Sequence, residues 1–245
     1  MDDLFIVINT CKTYFTNIND LLKQIDASGF NKGNVLVVSG QEDETTVFYH
    51  EGYRVVKVDY TGLQLTGLIY IHENISNFPN IKYWMLLPDT IRFGENFFNN
   101  VRIYYDAYLK GREVVSLPFI NPMLRPTMDM GIVNTSLVMN LGNYLKNIKT
   151  WNMDMDNLVR LKRQLILDEN TALGLMPQCY IISTKFCFLR NFVRPSEFIT
   201  NHREDLVETL SEDGKINEVY FKNLDLYKFQ KNFRGSNTKL IMGNF

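Results

Sequence analysis

Asp89 stands where an apolar run stops. Tyr83-Trp84-Met85-Leu86-Leu87-Pro88 reads as a buried strand, and Asp89-Thr90 follow at its carboxyl end. In open α/β sheets, ligands collect in the crevice outside the carboxyl ends of the strands. A carboxylate placed there can hold Mg²⁺ or Mn²⁺ against a phosphate, because these hard cations prefer oxygen ligands. The competing reading makes Asp89 a cap for the turn or short helix behind it, a task aspartate performs well. Glu95 lies close enough in sequence to join the same cluster.

Three further groups sit near expected strand or helix ends. In Asn9-Thr10-Cys11-Lys12-Thr13, the short hydroxyl and amide side chains can hydrogen-bond a nucleotide and Lys12 can meet a phosphate. The same residues also suit an ordinary strand-to-helix turn. In Asp59-Tyr60-Thr61-Gly62, a glycine beside a helix start lets an anion approach backbone N–H groups, although Asp59 serves equally as a cap. Asp168-Glu169-Asn170 offers paired carboxylates, ordinarily solvated, one of which can take a proton from a hydroxyl nucleophile. Asp129, in Met128-Asp129-Met130-Gly131 after a proline-rich loop, can line an acceptor pocket, with its methionines as core. A literal Asp-x-Asp at Asp154-Met155-Asp156 falls in a loop, where Asp156 reads as a helix cap. His50, His72 and His202 show no metal-ligand spacing. The chain has no P-loop, no Gly-x-Gly-x-x-Gly and no Gly-x-Ser-x-Gly, which disfavours P-loop NTPases, dinucleotide oxidoreductases and α/β-hydrolases.

Alternating elements position these groups. Short β-branched runs at residues 4–9, 34–39, 53–59 and 83–87 predict strands, with an extra one at 45–50. Helical spacing predicts helices at 17–28, closed by Gly29, and at 61–73. Strands alternating with helices imply parallel pairing by right-handed crossovers, hence a doubly wound, mostly parallel sheet flanked by helices. Later residues are less regular: strands at 113–117 and 179–183, and helices at 136–148, 157–168 and 196–210. The domain expectation is a catalytic domain over 1–195, with a nucleotide-binding half at 1–110 and an acceptor half at 111–195. Residues 196–245 form a helical or irregular extension, whose aromatics from Tyr220 to Phe233 suit a lid or a homodimer surface.

Composition narrows the class. The chain has 245 residues, and 45% hydrophobic content supports a substantial core. A formal charge of −1 implies no polybasic surface, so nucleic acid is not an expected partner. Three scattered cysteines make neither a disulfide framework nor a zinc knuckle and suit reduced thiols in a cytoplasmic compartment. The acidic start Met1-Asp2-Asp3-Leu4 is unlike a signal peptide, and no run nears the roughly 18 apolar residues of a bilayer span.

The order of elements resembles that of nucleotide-sugar-dependent glycosyltransferases of the GT-A fold. The resemblance rests on Ile6-Val7-Ile8-Asn9-Thr10, on Val35-Leu36-Val37-Val38-Ser39 with its acidic loop, on Asp59-Tyr60-Thr61-Gly62, and on Trp84 through Thr90. It covers about the first 175 residues. It implies transfer of a sugar from a nucleotide-diphosphate donor to a hydroxyl of a glycan or glycoprotein acceptor, assisted by Mn²⁺ or Mg²⁺. Thr10, Lys12, Asp59, Thr61, Asp89 and Thr90 would face the donor, Asp89 would bind the metal, and Asp129 the acceptor. Asp168 and Glu169 resemble the Glu-Asp pair of inverting members, one of them acting as base. The chain departs from the Asp-x-Asp pattern, since position 87 is leucine and position 91 isoleucine. A non-catalytic, degenerate transferase-like domain that binds a sugar nucleotide or a protein is the alternative.

Overall fold

Side-chain alternation along the first strands builds two cores, one on each face of a single sheet. The computed structural model describes residues 1–111, 116–118, 130–142, 145–146, 149, 180–182, 187–189, 208–212, 216–221 and 224–231. On strand β1 (Leu4–Cys11), Leu4, Ile6 and Ile8 face one way while Phe5 and Val7 face the other. The same split holds on β2 (Val35–Gly40), with Val35 and Val37 opposite Leu36 and Val38, and on β5 (Tyr83–Pro88). Strands buried on both faces read as continuous apolar runs, which is how these look in the sequence.

Helix α1 (Ile18–Ser28) covers the first face with Ile18, Leu21, Leu22 and Ile25, and α3 (Phe97–Tyr104) joins it through Phe97 and Val101. Gly29 ends α1 at φ 70, the left-handed conformation glycine adopts without steric cost. Helix α2 (Thr66–Glu73) and α4 (Thr135–Asn140) cover the second face with Leu68, Ile69, Leu137 and Val138. Helices therefore lie on both sides of the sheet, as its doubly wound character requires.

Among the described residues the sheet has seven strands in the order β3-β4-β2-β1-β5-β8-β7, where β3 is Thr46–His50, β4 Tyr53–Lys57, β7 Ser116–Pro118 and β8 Gly131–Asn134. β4, β2, β1 and β5 run parallel side by side. β3 and β8 run against them, and β7, antiparallel to β8, runs with them. The mostly parallel α/β sheet is thus present.

Three sequence expectations are revised. The helix expected from 61 begins at Thr66, because Leu63–Leu65 form a 3-10 turn with Leu63 at φ 50. The turn behind Asp89 leads not directly to a helix but to a three-residue strand, β6 (Ile91–Phe93), which precedes α3. The extension expected as helical or irregular instead holds β11 (Glu208–Glu212), β12 (Ile216–Phe221) and β13 (Leu226–Lys231). These form an antiparallel sheet of order β11-β12-β13-β6. Residues 208–210, expected at the end of a helix, are therefore strand. The expected strand at 179–183 is seen as β9 (Tyr180–Ile182), paired with β10 (Cys187–Leu189). The expected helix at 157–168 and the boundary at 195 lie outside the described residues.

Candidate functional site

The chain order places a crevice between β1 and β5. From β1 the chain winds to β2 and β4 on one side, then returns to place β5 on the other. Such a reversal leaves an opening between the two strands at their carboxyl ends, the usual ligand position in an open α/β sheet. Parallel register sets Asn9 opposite Pro88, so the next residues, Thr10 and Asp89, meet at the mouth of the opening.

They meet closely. Thr10 Oγ1 donates to Asp89 Oδ2 at 2.6 Å, and the Asp89 amide donates to the Asn9 carbonyl at 3.0 Å. Asp89 is only 4% exposed, and its other oxygen, Oδ1, is buried without a hydrogen-bond partner. Burial dominates its titration: desolvation raises the carboxyl from 3.8 to about 6, and the Thr10 hydroxyl only partly offsets it. A buried carboxylate with one unsatisfied oxygen costs stability, and such costs concentrate where a ligand completes the site. Asn17 Nδ2 and Gln64 Oε1, also buried and without partners, belong to the connections that follow β1 and β4.

Asn9 supports this corner from below. Its Oδ1 accepts the Gly67 amide at 2.7 Å, tying the first turn of α2 to β1. Gly67 permits that approach: a Cβ there would lie 2.6 Å from Asn9 Oδ1 and 2.7 Å from Val7 Cγ1. The Gly62 amide is likewise engaged, donating to Thr66 Oγ1 at 2.9 Å. The Gly62 backbone N–H that the sequence offers to an anion is therefore used internally.

The remaining site residues are more dispersed. Thr90 is buried beside Asp89. Lys12 is exposed and turned to Asp43, with Nζ 2.6 Å from its carboxylate. Asp59 is exposed and accepts the Thr45 hydroxyl at 3.1 Å, and Thr61 Oγ1 accepts the Leu63 amide at 3.1 Å. Asp129, Asp168 and Glu169 lie outside the described residues, as do Asp154 and Asp156. So the structure brings Thr10, Asp89 and Thr90 together and leaves Lys12, Asp59 and Thr61 in their own local contacts.

One neighbour has no signal in the sequence. Glu42, in the polar loop after β2, has a side chain only 6% exposed. It accepts the Ser39 hydroxyl at 2.5 Å and pairs with Lys57 at 3.5 Å. Only the strand order reveals it, by setting the end of β2 beside that of β1. Its charge reaches Cys11, whose thiol is pushed up chiefly by burial and then by Asp89 and Glu42.

Among the described residues no group of three or more His, Cys, Asp or Glu gathers to hold a metal, and no helix is long and apolar enough to cross a membrane. No family model matches the chain, and no curated protein matches it. Among solved structures, it is similar to a glycosyltransferase involved in the glycosylation of the major capsid of PBCV-1. That match has 12% identity and a TM-score of 0.44 and covers 73% of this chain and 81% of the other. So distant a likeness assigns neither substrate nor residue roles.

Proposed function

We propose that the protein is a glycosyltransferase that moves a sugar from a nucleotide-diphosphate donor to a hydroxyl of a glycan or glycoprotein acceptor. The observation that carries this reading is the Thr10–Asp89 pair at the reversal of strand order, with Asp89 Oδ1 buried and unpartnered. Thr10 holds one carboxylate oxygen in place and leaves the other for a ligand.

A divalent cation of the Mn²⁺ or Mg²⁺ class fits that donor chemistry, since Oδ1 is a hard oxygen without a partner. With Asp89 supplying one carboxylate, the remaining ligands would come from the donor diphosphate and water, an arrangement common for Mg²⁺. Such an ion, held by Asp89, would supply positive charge to offset the negative charge developing on a departing diphosphate. Thr90, Lys12, Asp59 and Thr61, with Thr10 and Asp89, are the proposed contacts to the donor. Asp168 or Glu169 is the proposed base for the acceptor hydroxyl, and Asp129 the proposed acceptor contact.

Thermal-shift measurements with UDP-, GDP-, CMP- and dTDP-sugars, with and without Mn²⁺, test the reading on wild type and Asp89→Asn. A Mn²⁺-dependent rise with one nucleotide class, abolished in the variant, is expected. If no sugar nucleotide shifts the melting curve, the reading fails. A shift without donor hydrolysis, unaffected by replacing Asp168 or Glu169, would instead mark a binding domain without turnover.

A further inference from the structure

A cavity of about 300 Å³ opens at the amino ends of the strands, at the opposite end of the sheet from Asp89. Phe5, near the start of β1, lines it, and Thr10 stands about 16 Å further along that extended strand. The deepest lining is aromatic. Phe5 and Phe78 are 8% and 6% exposed, their ring centroids lie 5.7 Å apart, and the Trp84 ring packs against both. One wall is the edge of the sheet. Antiparallel register sets Tyr49 of β3 opposite Arg54 of β4, so both side chains stand on the same face. The Tyr49 ring is 74% exposed.

Arg54 is the unusual group there. It is half-buried, its guanidinium lies 5.2 Å from the Phe78 ring centroid, and Nη2 donates to the Tyr70 hydroxyl at 3.3 Å. Among the described residues no carboxylate pairs with it. Arginine is always charged and carries five N–H donors in a rigid fork, so one hydroxyl and a ring face leave most of them unmatched. The neighbouring Lys32 is different, since its ammonium sits 2.6 Å from Asp26 and donates to the Glu51 carbonyl at 3.1 Å. The cavity therefore holds one positive charge without a counter-charge. We infer that it binds a small anion carried on a ring, about the size of one acidic monosaccharide. The carboxylate or phosphate takes the Arg54 fork, which matches either oxyanion bidentately, and the ring lies on Tyr49. Asn77 and Asn80 on the rim offer amides to hydroxyl groups, and aromatic walls with a few polar groups are usual for small-molecule sites. The volume is at the lower end of such cavities, which limits the occupant to about one ring. Nothing in this site depends on Asp89 or on sugar transfer.

NMR titration of the full chain with glucuronate, glucose 6-phosphate, glucose and inorganic phosphate tests it. The readout is the amide signals of Gly33 and Gly52, which line the cavity. At least one acidic sugar should shift both amides and saturate with a dissociation constant of about 1 mM or below. Glucose and inorganic phosphate should bind at least about tenfold more weakly, because each offers only half of the match. Which acidic sugar binds more tightly tells carboxylate from phosphate. Arg54→Gln keeps a donor for the Tyr70 hydroxyl but loses the charge and the fork, and it should weaken binding about tenfold or more. Tyr49→Ala, at an exposed edge position, should weaken it about threefold. The proposal is overturned if neither acidic sugar gives a saturable shift, if Arg54→Gln binds as wild type does, or if glucose or phosphate alone binds as tightly. Should Arg54→Gln not fold, Tyr49→Ala decides, and an unchanged affinity there overturns it. Failure of donor binding at the carboxyl ends leaves these readouts untouched.

Discussion

At the amino ends of the strands, buried hydroxyls are matched to acceptors. Tyr53, at the start of β4, donates to the Leu22 carbonyl at 3.1 Å and to Asp26 at 2.8 Å; Tyr83, at the start of β5, donates to the Leu109 carbonyl at 3.0 Å; and Tyr105 donates to Asp3. The Lys32 ammonium, with help from the Tyr53 hydroxyl, holds the Asp26 carboxyl below its usual range. At the carboxyl ends, Asp89 is more deeply buried yet has half its carboxylate unmatched and is pushed up instead. Two carboxylates at opposite ends of one sheet thus have opposite effects. Asp26 favours the folded state when ionised, and Asp89 opposes it. Among the described residues, the amino end matches its buried hydroxyls internally, whereas the carboxyl end keeps one buried carboxylate oxygen without a hydrogen-bond partner.

The contrast is sharpest in the pH dependence of Asp89→Asn. A carboxyl raised from 3.8 to about 6 on folding contributes stability that is fully present below pH 3.8. It is lost as pH rises through about 6, a loss of about 3 kcal/mol by neutral pH. Asparagine keeps an oxygen for Thr10 and carries no charge. Chemical unfolding should find Asp89→Asn more stable than wild type at pH 7.5, by about 1–3 kcal/mol after any loss of packing, with the gap closing toward pH 4. Asp26 works in the other direction, losing its contribution as pH falls, so the difference between the two proteins isolates Asp89. An Asp89→Asn protein that is less stable than wild type at pH 7.5 would remove the basis of the comparison.

The carboxyl end is nonetheless not loose. Gly67→Ala would drive a methyl group to 2.6 Å from Asn9 Oδ1 and 2.7 Å from Val7 Cγ1, both fixed in the central strand. Overpacking of this kind costs about 2 kcal/mol. Urea denaturation should show that loss, and the Thr10–Asp89 contact should weaken with it, since Asn9 carries the carbonyl that holds the Asp89 amide. A neutral Gly67→Ala would mean that α2 does not support the site.

Much of this layout is legible in the chain because apolar patterning is a local signal. Alternating faces at Ile6, Val7 and Ile8, the glycine stop at Gly29 and the abrupt acidic end of β5 each appear within a few residues. The partnership of Thr10 and Asp89 is not local. It follows from β5 adding beside β1 rather than beside β4, which no single segment records. Lys12 reads as a phosphate contact from its position after β1, yet an exposed lysine turns to the nearest carboxylate, here Asp43. β6 escapes because three residues are too few to show a period, and its pairing with β13 escapes because the partners lie more than 130 residues apart.

A smaller effect is expected at the amino end. Tyr53→Phe deletes one hydroxyl that serves two acceptors while leaving the ring beneath the Lys32 ammonium, 4.8 Å from its centroid. A net hydrogen bond contributes about 1 kcal/mol, and the unfolding free energy should fall by that amount. Donor binding at the far end of the sheet should not change. A loss of nucleotide-induced thermal shift in Tyr53→Phe would break the division of labour between the two ends.

The finest probe of the carboxyl end is Cys11, half-buried at the end of β1. Burial chiefly suppresses its thiolate, amide groups at Thr13 and Tyr14 partly restore it, and the charges of Asp89 and Glu42 suppress it further. Because alkylation proceeds through the thiolate, its rate at fixed pH reports the nearby charge. Asp89→Asn removes one of the two carboxylates without opening the site, and it should speed iodoacetamide labelling of Cys11 by about two- to threefold, the scale of a partly screened interaction. Mn²⁺ without nucleotide should have the same effect on wild type and none on Asp89→Asn if the cation settles on Asp89 Oδ1. A rate raised equally in both proteins would place the ion at Glu42 or elsewhere. A rate unaffected by the substitution would show that Asp89 carries no charge at the pH of labelling, contrary to a midpoint of about 6.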